Sequence, residues 1–317
     1  MPLIGTFGAA SAKGLGLTSG GGVPFDVQYL IVAGGGAGGL QAAGGAGAGG
    51  YRLNTGETSG GQSSSEAALE LTTGEEYSIV IGAGGVSAPP APVYPITTPP
   101  TPATDSIFST IISTAGGTGG GYDLPAPIGP DVFGQGGSGA ANSTGTLYPG
   151  ITGQGSAGGN FIHTGPGYAG GGGGGAGGAG NNGGGNGGTG GVGLESDITG
   201  SNVFRAGGGG SGTRPGSSAG SGGNGGGGSG TTSSPSFASP GTINTGSGGG
   251  GEGYSQAGHG GGGSGGSGFV AIKVPDSITA TFSAGVTSSL NTGVSGYRIY
   301  SVTATSTGSE TVTFAKG

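Results

Sequence analysis

The side chains best suited to recognition are aromatic rings and one histidine in the mixed inserts between glycine-rich stretches. Tyr and Phe provide a large contact area at a low entropic cost, as they do in binding paratopes. We predict that loops held on a rigid scaffold present these residues to a receptor. The alternative that stays open is that they only cap the ends of the glycine-rich block. The candidates are Tyr94, Tyr122, Tyr148, Phe161, His163, Tyr168, Phe237 and Tyr254.

Residues for catalysis or metal binding are sparse and scattered. His163 and His259 lie far apart, no HExxH motif occurs, and the chain has no cysteine. A metal or catalytic site needs several convergent ligands or acid–base groups. The acidic pairs, such as Glu75 and Glu76, are expected on solvated faces. We therefore predict a non-enzymatic protein without metal or cofactor.

One phosphate-binding motif occurs in the sequence. Residues 34–39 (GGGAGG) match G-x-G-x-x-G directly after a strand-like segment. A dinucleotide site also needs a helix after the motif. The following residues, LQAAGGAGAGG, disfavour a helix, because each interior glycine costs about 0.8–1.0 kcal/mol relative to alanine. We therefore predict that this glycine run binds no nucleotide.

The composition restricts the architecture more than any motif does. The 317 residues include 94 glycines and 18 prolines, and only 7% are charged. No strict G-X-Y period supports collagen, and the low charge is atypical of disordered chains. Extended glycine helices with three residues per turn, joined sideways by backbone hydrogen bonds, fit better. The net charge of −7 and the scattered basic residues argue against nucleic acid. No apolar run is long enough to span a membrane, and the N-terminus has no secretory signal pattern.

The framing segments show the alternating apolar pattern of strands. We predict an all-β or irregular fold, a polyglycine II helix sandwich framed by strands with a small C-terminal β-module and essentially no α-helix. The predicted parts are an N-terminal docking segment or linker (1–22), a glycine-rich domain (23–274) and the β-module (275–317). The strands predicted in the glycine-rich domain are 25–33, 67–73, 77–81, 106–113 and 268–274.

The order of these segments resembles a known family. YLIVAGGGAGG, LELTTGEEYSIVIGAGG, repeated GGGGGAGG blocks and the closing GGGGSGGSGFVAIKV resemble the glycine-rich domain common in bacteriophage tail-fibre and tail-tip proteins, especially those of marine phages. The opening LIGTFGAASAKGLGLTSG resembles the start of such virion proteins. The resemblance covers roughly residues 1–274.

The resemblance implies a virion tail protein in which a polyglycine II sandwich carries host-binding loops at its distal end. The expected partners are other tail proteins and a host-surface polysaccharide or outer-membrane protein, without membrane insertion. The protein would be assembled in the host cytoplasm and act extracellularly, and the expected oligomer is a homotrimer. The strand-bearing N-terminus and the C-terminal β-module depart from the family pattern and suggest direct attachment or self-assembly. Two alternatives stay open: a self-assembling structural or decorating fibre, and an ice-binding protein.

Overall fold

The chain folds into strands, extended runs and turns wherever its structure is described. The computed structural model describes residues 22–89, 99–121, 134–141, 148–161, 169–233, 236–254 and 260–317. None of these residues lies in an α-, 3₁₀- or π-helix. The prediction of an all-β and otherwise irregular fold is confirmed.

The strands are short and concentrated near both ends of the chain. They are β1 (Pro24–Val32), β2 (Tyr51–Leu53), β3 (Leu69–Thr72), β4 (Glu76–Val80), β5 (Ser106–Phe108), β6 (Ile111–Ser113), β7 (Leu194–Ser196), β8 (Val203–Arg205), β9 (Phe269–Pro275), β10 (Ile278–Phe282), β11 (Val286–Asn291), β12 (Tyr297–Thr305) and β13 (Thr311–Lys316). Residues 106–113, predicted as one strand, form the hairpin β5–β6 instead. Ser109, with a φ of 55°, lies in the reversal.

Two antiparallel sheets form a β-sandwich. One sheet has the order β11-β12-β9-β1-β2, with β3 paired to the start of β1, and the other has the order β10-β13-β4-β5-β6. Alternate residues of β1 point into the core between the sheets, as the two-residue period of a strand requires. There the rings of Phe25 and Phe314 lie 5.2 Å apart, and those of Tyr29 and Phe108 lie 6.5 Å apart.

The C-terminal strands belong to both sheets of the β-sandwich. β12 pairs with β9, and β13 pairs with β4. Val302 and Phe314 are fully buried in the same core as the β1 residues. Residues 278–316 thus complete sheets that begin in the first third of the chain.

The opposite face of the first sheet packs on the glycine-rich part of the chain. Leu30, Val32 and Phe269 are buried there against Tyr51 and Ile198. Arg205 lies beneath this face, with its guanidinium carbon 4.2 Å from the centre of the Phe269 ring. Burial lowers the pKa of Arg205 and raises that of Tyr51, because the apolar surroundings disfavour both charged forms. The first sheet is consequently the middle layer of the molecule.

Extended glycine-rich runs, which we call the glycine bundle, occupy the other side of this sheet. The bundle comprises the described residues within 33–50, 82–89, 114–121, 134–141, 154–161, 169–193, 206–231, 236–254 and 260–268. Backbone N–H groups of one run donate to three different neighbours with a three-residue period. In run 43–50, Ala43, Ala46 and Gly49 donate to run 246–252, Gly44, Gly47 and Gly50 donate to run 114–120, and Gly45 and Ala48 donate to run 171–174.

The carbonyl groups of run 43–50 accept bonds from three further runs, 33–39, 138–141 and 209–212. Six neighbours therefore surround it. Run 206–213 is surrounded in the same way. A three-residue period with sideways hydrogen bonds is the pattern predicted for packed polyglycine II helices.

Glycine permits this close packing because it has no Cβ atom. A Cβ at Gly173 would lie 1.9 Å from the carbonyl oxygen of Ala46, and one at Gly209 would lie 2.0 Å from that of Gly249. Neither contact is sterically allowed. Small side chains occur where the packing leaves space, as at the fully buried Ala46.

Candidate functional site

The glycine bundle has two distinct ends. β1 continues into run 33–39, the chain reverses at Leu40–Ala43, and run 43–50 returns to β2. One end of the bundle therefore adjoins the β-sandwich. We call the other end, at the level of the Leu40–Ala43 reversal, the distal end.

Hydrogen-bond register brings many other runs to the same level. Gly44 donates to Gly120, Gly120 donates to Ala141, and Gly212 donates to Ala43. Further round the bundle, Ala169 forms an isolated bridge with Thr213, to which Tyr254 donates. The described parts of the chain that reach this level include Gly121, Ala141, Phe161, Thr213, Tyr254 and Gly260.

Several predicted recognition residues lie outside the described residues. These are Tyr94, Tyr122, His163 and Tyr168. The described residues nearest in sequence to the last three, Gly121, Phe161 and Ala169, all belong to the distal end. The remaining four candidates have different environments.

Phe237 is the most exposed of these four candidates. Its exposed fraction is 61%, and it forms a bridge with Gly261. Tyr148, by contrast, is buried: a Cβ at Gly134 would lie 2.1 Å from its ring. Tyr148 thus covers the glycine backbone and offers little surface to a partner. Phe161 is half-buried.

The ring of Tyr254 forms a cation–π contact with Arg214. The guanidinium carbon of Arg214 lies 4.2 Å from the ring centre, and both side chains are half-buried. The backbone N–H of Tyr254 donates to the carbonyl of Thr213 at 3.0 Å. The two residues come from separate runs, so the hydrogen-bond register of the bundle determines their contact. Nothing in the sequence pattern indicated Arg214 as a partner of Tyr254.

A buried carboxylate organises the same end of the bundle. The side chain of Glu252 is fully buried, and its Oε1 accepts the N–H groups of Gly260 at 2.6 Å and Gly261 at 3.2 Å. Its Oε2 accepts the N–H of Gln41 at 3.4 Å. Gln41 and the next residue, Ala42, both have positive φ, at 66° and 44°, which is uncommon outside glycine. Glu252 therefore links the Leu40–Ala43 reversal to the start of run 260–268.

The sequence contains a signal that distinguishes Glu252. Among the described residues of the glycine bundle, Arg214 and Glu252 are the only charged side chains. An isolated charge within a nearly uncharged block has to be solvated by specific partners. That expectation could have singled out both residues.

The nucleotide-like motif serves the bundle instead. Residues 34–39 stay extended, and the N–H groups of Gly34, Gly35, Gly36, Gly38 and Gly39 all donate to carbonyls of other segments. A phosphate site needs such N–H groups free and a following helix. The run therefore cannot cradle a phosphate in this conformation.

Two other kinds of site are absent from the described part of the chain. It contains no cluster of three or more histidine or acidic side chains that could hold a metal ion. It also contains no helix with the length and apolar character of a membrane span.

Comparison with known proteins gives one result that bears on identity. No curated protein and no solved structure matches the chain significantly. A family model described as a glycine-rich domain matches residues 18–275, which include β1, the glycine bundle and β9. The chain therefore belongs to the glycine-rich domain family.

Proposed function

We propose that this chain is a bacteriophage virion protein, a tail-fibre or tail-tip adhesin that attaches the particle to its host. The observation that carries the proposal is the gathering of run ends at the distal end of the bundle, opposite the β-sandwich. Phe237, Tyr254 and the described residues flanking several other candidates belong to that end. Recognition residues on loops above a rigid scaffold are a common arrangement for binding.

The physical character of the bundle supports a role as a spacer. Each central run is held by six neighbours through backbone hydrogen bonds, so it cannot bend without breaking several of them. The bundle is also nearly uncharged, which limits repulsion when it approaches a cell surface. Such a body would hold loops at a constant distance from the β-sandwich.

The opposite end of the molecule, at the β-sandwich, is the end that we propose contacts other tail proteins. Residues 1–22 would dock on other tail proteins, and the β-sandwich would support that contact. Oligomerisation, for example as a trimer, would place several distal ends side by side and raise avidity. The protein would be assembled in the host cytoplasm and act outside the cell on a surface polysaccharide or an outer-membrane protein.

Attachment can be tested with two matched variants. Phe237 and Ile243 belong to the same segment of chain and are both exposed, at 61% and 72%. Phe237 lies at the distal end, whereas Ile243 lies in a turn at the end next to the β-sandwich. Labelled full-length protein would be incubated with a panel of marine bacteria. We expect Phe237→Ser to reduce cell binding several-fold and Ile243→Ser to leave it unchanged.

The same experiment separates adhesion from a purely structural role. A decorating fibre without receptor recognition would bind no bacterium in the panel, and both variants would behave as the original chain does. Antibody labelling of virions, viewed by electron microscopy, tests the location independently. Labelling of the capsid rather than the tail would overturn the tail assignment.

A further inference from the structure

The outer edge of β11 differs from the sandwich edges at β2, β6 and β10. Each of those three edges engages a group outside its own sheet. The carbonyls of Tyr51 and Ile112 accept hydrogen bonds, and the N–H of Ala280 donates one. β11 is the edge opposite β2 in the first sheet. Among the described residues, no hydrogen bond from outside that sheet reaches Ser288 or Leu290.

The pairing of β12 with β9 determines which backbone groups of β12 are left for β11. Pro275 has no N–H, so its pair with Tyr297 cannot exchange two hydrogen bonds. In an antiparallel ladder, hydrogen-bonded pairs alternate with pairs that are not hydrogen-bonded. The bonds between β12 and β9 therefore fall on the alternate pairs, such as Tyr300 with Ile272.

The same alternation continues into β11. Ser301 does not bond to β9, so its backbone groups point towards β11, where Ser289 is opposite it. The backbone groups of Ser289 are thus used within the sheet. Those of its two neighbours, Ser288 and Leu290, point away from the sheet into solvent. Both residues are exposed.

This stretch of β11 lacks the features that usually protect a sheet edge. Charged side chains, proline and bulges keep edge strands from pairing with other chains. Residues 277–297 contain no charged side chain and no proline. The register shift between β11 and β12 lies between Thr287 and Ser288, so the pairing over 288–291 is regular. The chain therefore presents a short, neutral and regular edge that is ready to pair.

We propose that β11 is a self-association edge, which pairs antiparallel with β11 of a second copy of this chain. A two-fold axis at Ser289 places Ser288 of each copy opposite Leu290 of the other. Each of these pairs exchanges both N–H···O bonds, so every outward backbone group of the two residues gains a partner. The first sheet then continues across both copies. This inference goes beyond the proposed attachment function and does not depend on it.

The side chains of β11 favour a second copy as the occupant. Leu290, which is 48% exposed, lies opposite Tyr300 and therefore on the same face of the sheet. In the proposed register, the two Leu290 side chains lie diagonally across the axis on that face, within reach of each other. No like charges meet. A two-fold contact closes after two copies, so it predicts a dimer rather than the expected homotrimer.

Sedimentation equilibrium of the full-length protein tests the proposal. We expect a monomer–dimer equilibrium. Leu290→Lys brings two like charges together across the axis and should weaken dimerisation by about tenfold or more. Thr281→Lys adds the same charge at an exposed position on β10 and should leave the equilibrium unchanged. If Leu290→Lys does not fold, Ser288→Pro replaces it, because proline removes an outward N–H and is tolerated on an edge strand.

Cross-linking tests the register of the pairing. The chain has no cysteine. Ser289 would face its own copy in a pair that is not hydrogen-bonded, with Cα atoms about 4.5 Å apart, and a disulfide can bridge that separation. Ser289→Cys should therefore form a covalent dimer under mild oxidation. Ser277→Cys, at an exposed turn, should stay largely uncross-linked.

The contrary outcomes are distinct from one another. A monomer at every concentration would overturn the proposal, as would an oligomer that both Leu290→Lys and Ser288→Pro leave intact. A dimer in which Ser289→Cys does not cross-link would overturn the register. If a monomeric protein enters virions but its Ser288→Pro variant does not, β11 pairs with a strand of another tail protein and self-pairing is wrong. None of these results changes cell binding by the distal end, which the Phe237→Ser experiment tests separately.

Discussion

The glycine bundle and the β-sandwich are held together by opposite means. In the β-sandwich, side chains such as Phe108 and Phe314 are fully buried between the sheets. In the bundle, central runs have little more than backbone and methyl groups to bury, and hydrogen bonds to six neighbours replace a side-chain core. One region depends on having large side chains, whereas the other depends on lacking them.

This contrast explains why the two regions occur together. Ordering a residue costs roughly 1–2 kcal/mol, and a backbone hydrogen bond contributes about 0.5–1.5 kcal/mol net. A bundle of glycine runs is therefore marginal by itself. The first sheet supplies the missing apolar contacts, because Leu30, Val32 and Phe269 pack against the base of the bundle.

The largest expected effect comes from adding one methyl group inside the bundle. In Gly173→Ala the new Cβ would lie 1.9 Å from the oxygen of Ala46, and backbone on both sides cannot retreat. We expect a loss of more than about 4 kcal/mol of unfolding free energy, measured by urea denaturation. The matched control is Gly184→Ala, where no atom lies within 4 Å of the added Cβ. Equal stability of the two variants would contradict the close packing of the bundle.

The corresponding test of the β-sandwich truncates a large buried side chain. Phe314 is fully buried against Phe25 and Tyr77. Phe314→Ala should reduce the unfolding free energy by about 3–4 kcal/mol, through lost contacts and the cavity left behind. Phe204, 38% exposed on β8, provides the control, and Phe204→Ala should cost much less. A small effect at Phe314 would mean that the core between the sheets does not carry the stability of this layer.

A smaller effect is expected at the buried carboxylate of the distal end. Glu252→Gln keeps the size of the side chain but weakens the bonds from the Gly260 and Gly261 N–H groups. We expect a loss of about 1–3 kcal/mol and faster amide exchange at those two glycines, measured by NMR. Glu75→Gln, at an exposed turn, should leave both quantities unchanged. Unaltered exchange in Glu252→Gln would show that this carboxylate does not organise the distal end.

The smallest expected effect is on how the stability of the β-sandwich depends on pH. Hydroxyl groups of Ser283, Ser306 and Thr307 donate to Glu310 and hold its pKa below the usual value. Because the folded-state pKa is the lower one, this carboxylate stabilises the fold above the ordinary glutamate pKa of about 4.3. The contribution disappears as the pH falls through the folded-state pKa. Melting temperatures between pH 6 and pH 3 should therefore depend less on pH in Glu310→Gln, whereas Glu70→Gln should retain the original profile.

The longer strands could be predicted from the sequence, because apolar and polar side chains alternate along them. The patterns at 25–33 and 268–274 predicted β1 and β9, and those at 67–73 and 77–81 predicted β3 and β4. The hairpin at 106–113 and the three-residue strands β2, β7 and β8 escaped prediction, because such short segments show no period. The aromatic inserts indicated Phe237 and Tyr254 as candidate residues. Arg214 and Glu252 were not predicted, although they are the only charged side chains among the described residues of the bundle.

The packing of the whole chain determines which runs are neighbours and which side chains meet at the distal end. Glycine has no side chain to indicate its partner, so nothing local pairs Ala43 with Glu252, or run 206–213 with run 170–176. Those pairings depend on how distant runs pack together beside the first sheet. The composition therefore determined that backbone would build the centre of this protein, whereas the register between distant runs determined what its distal end presents.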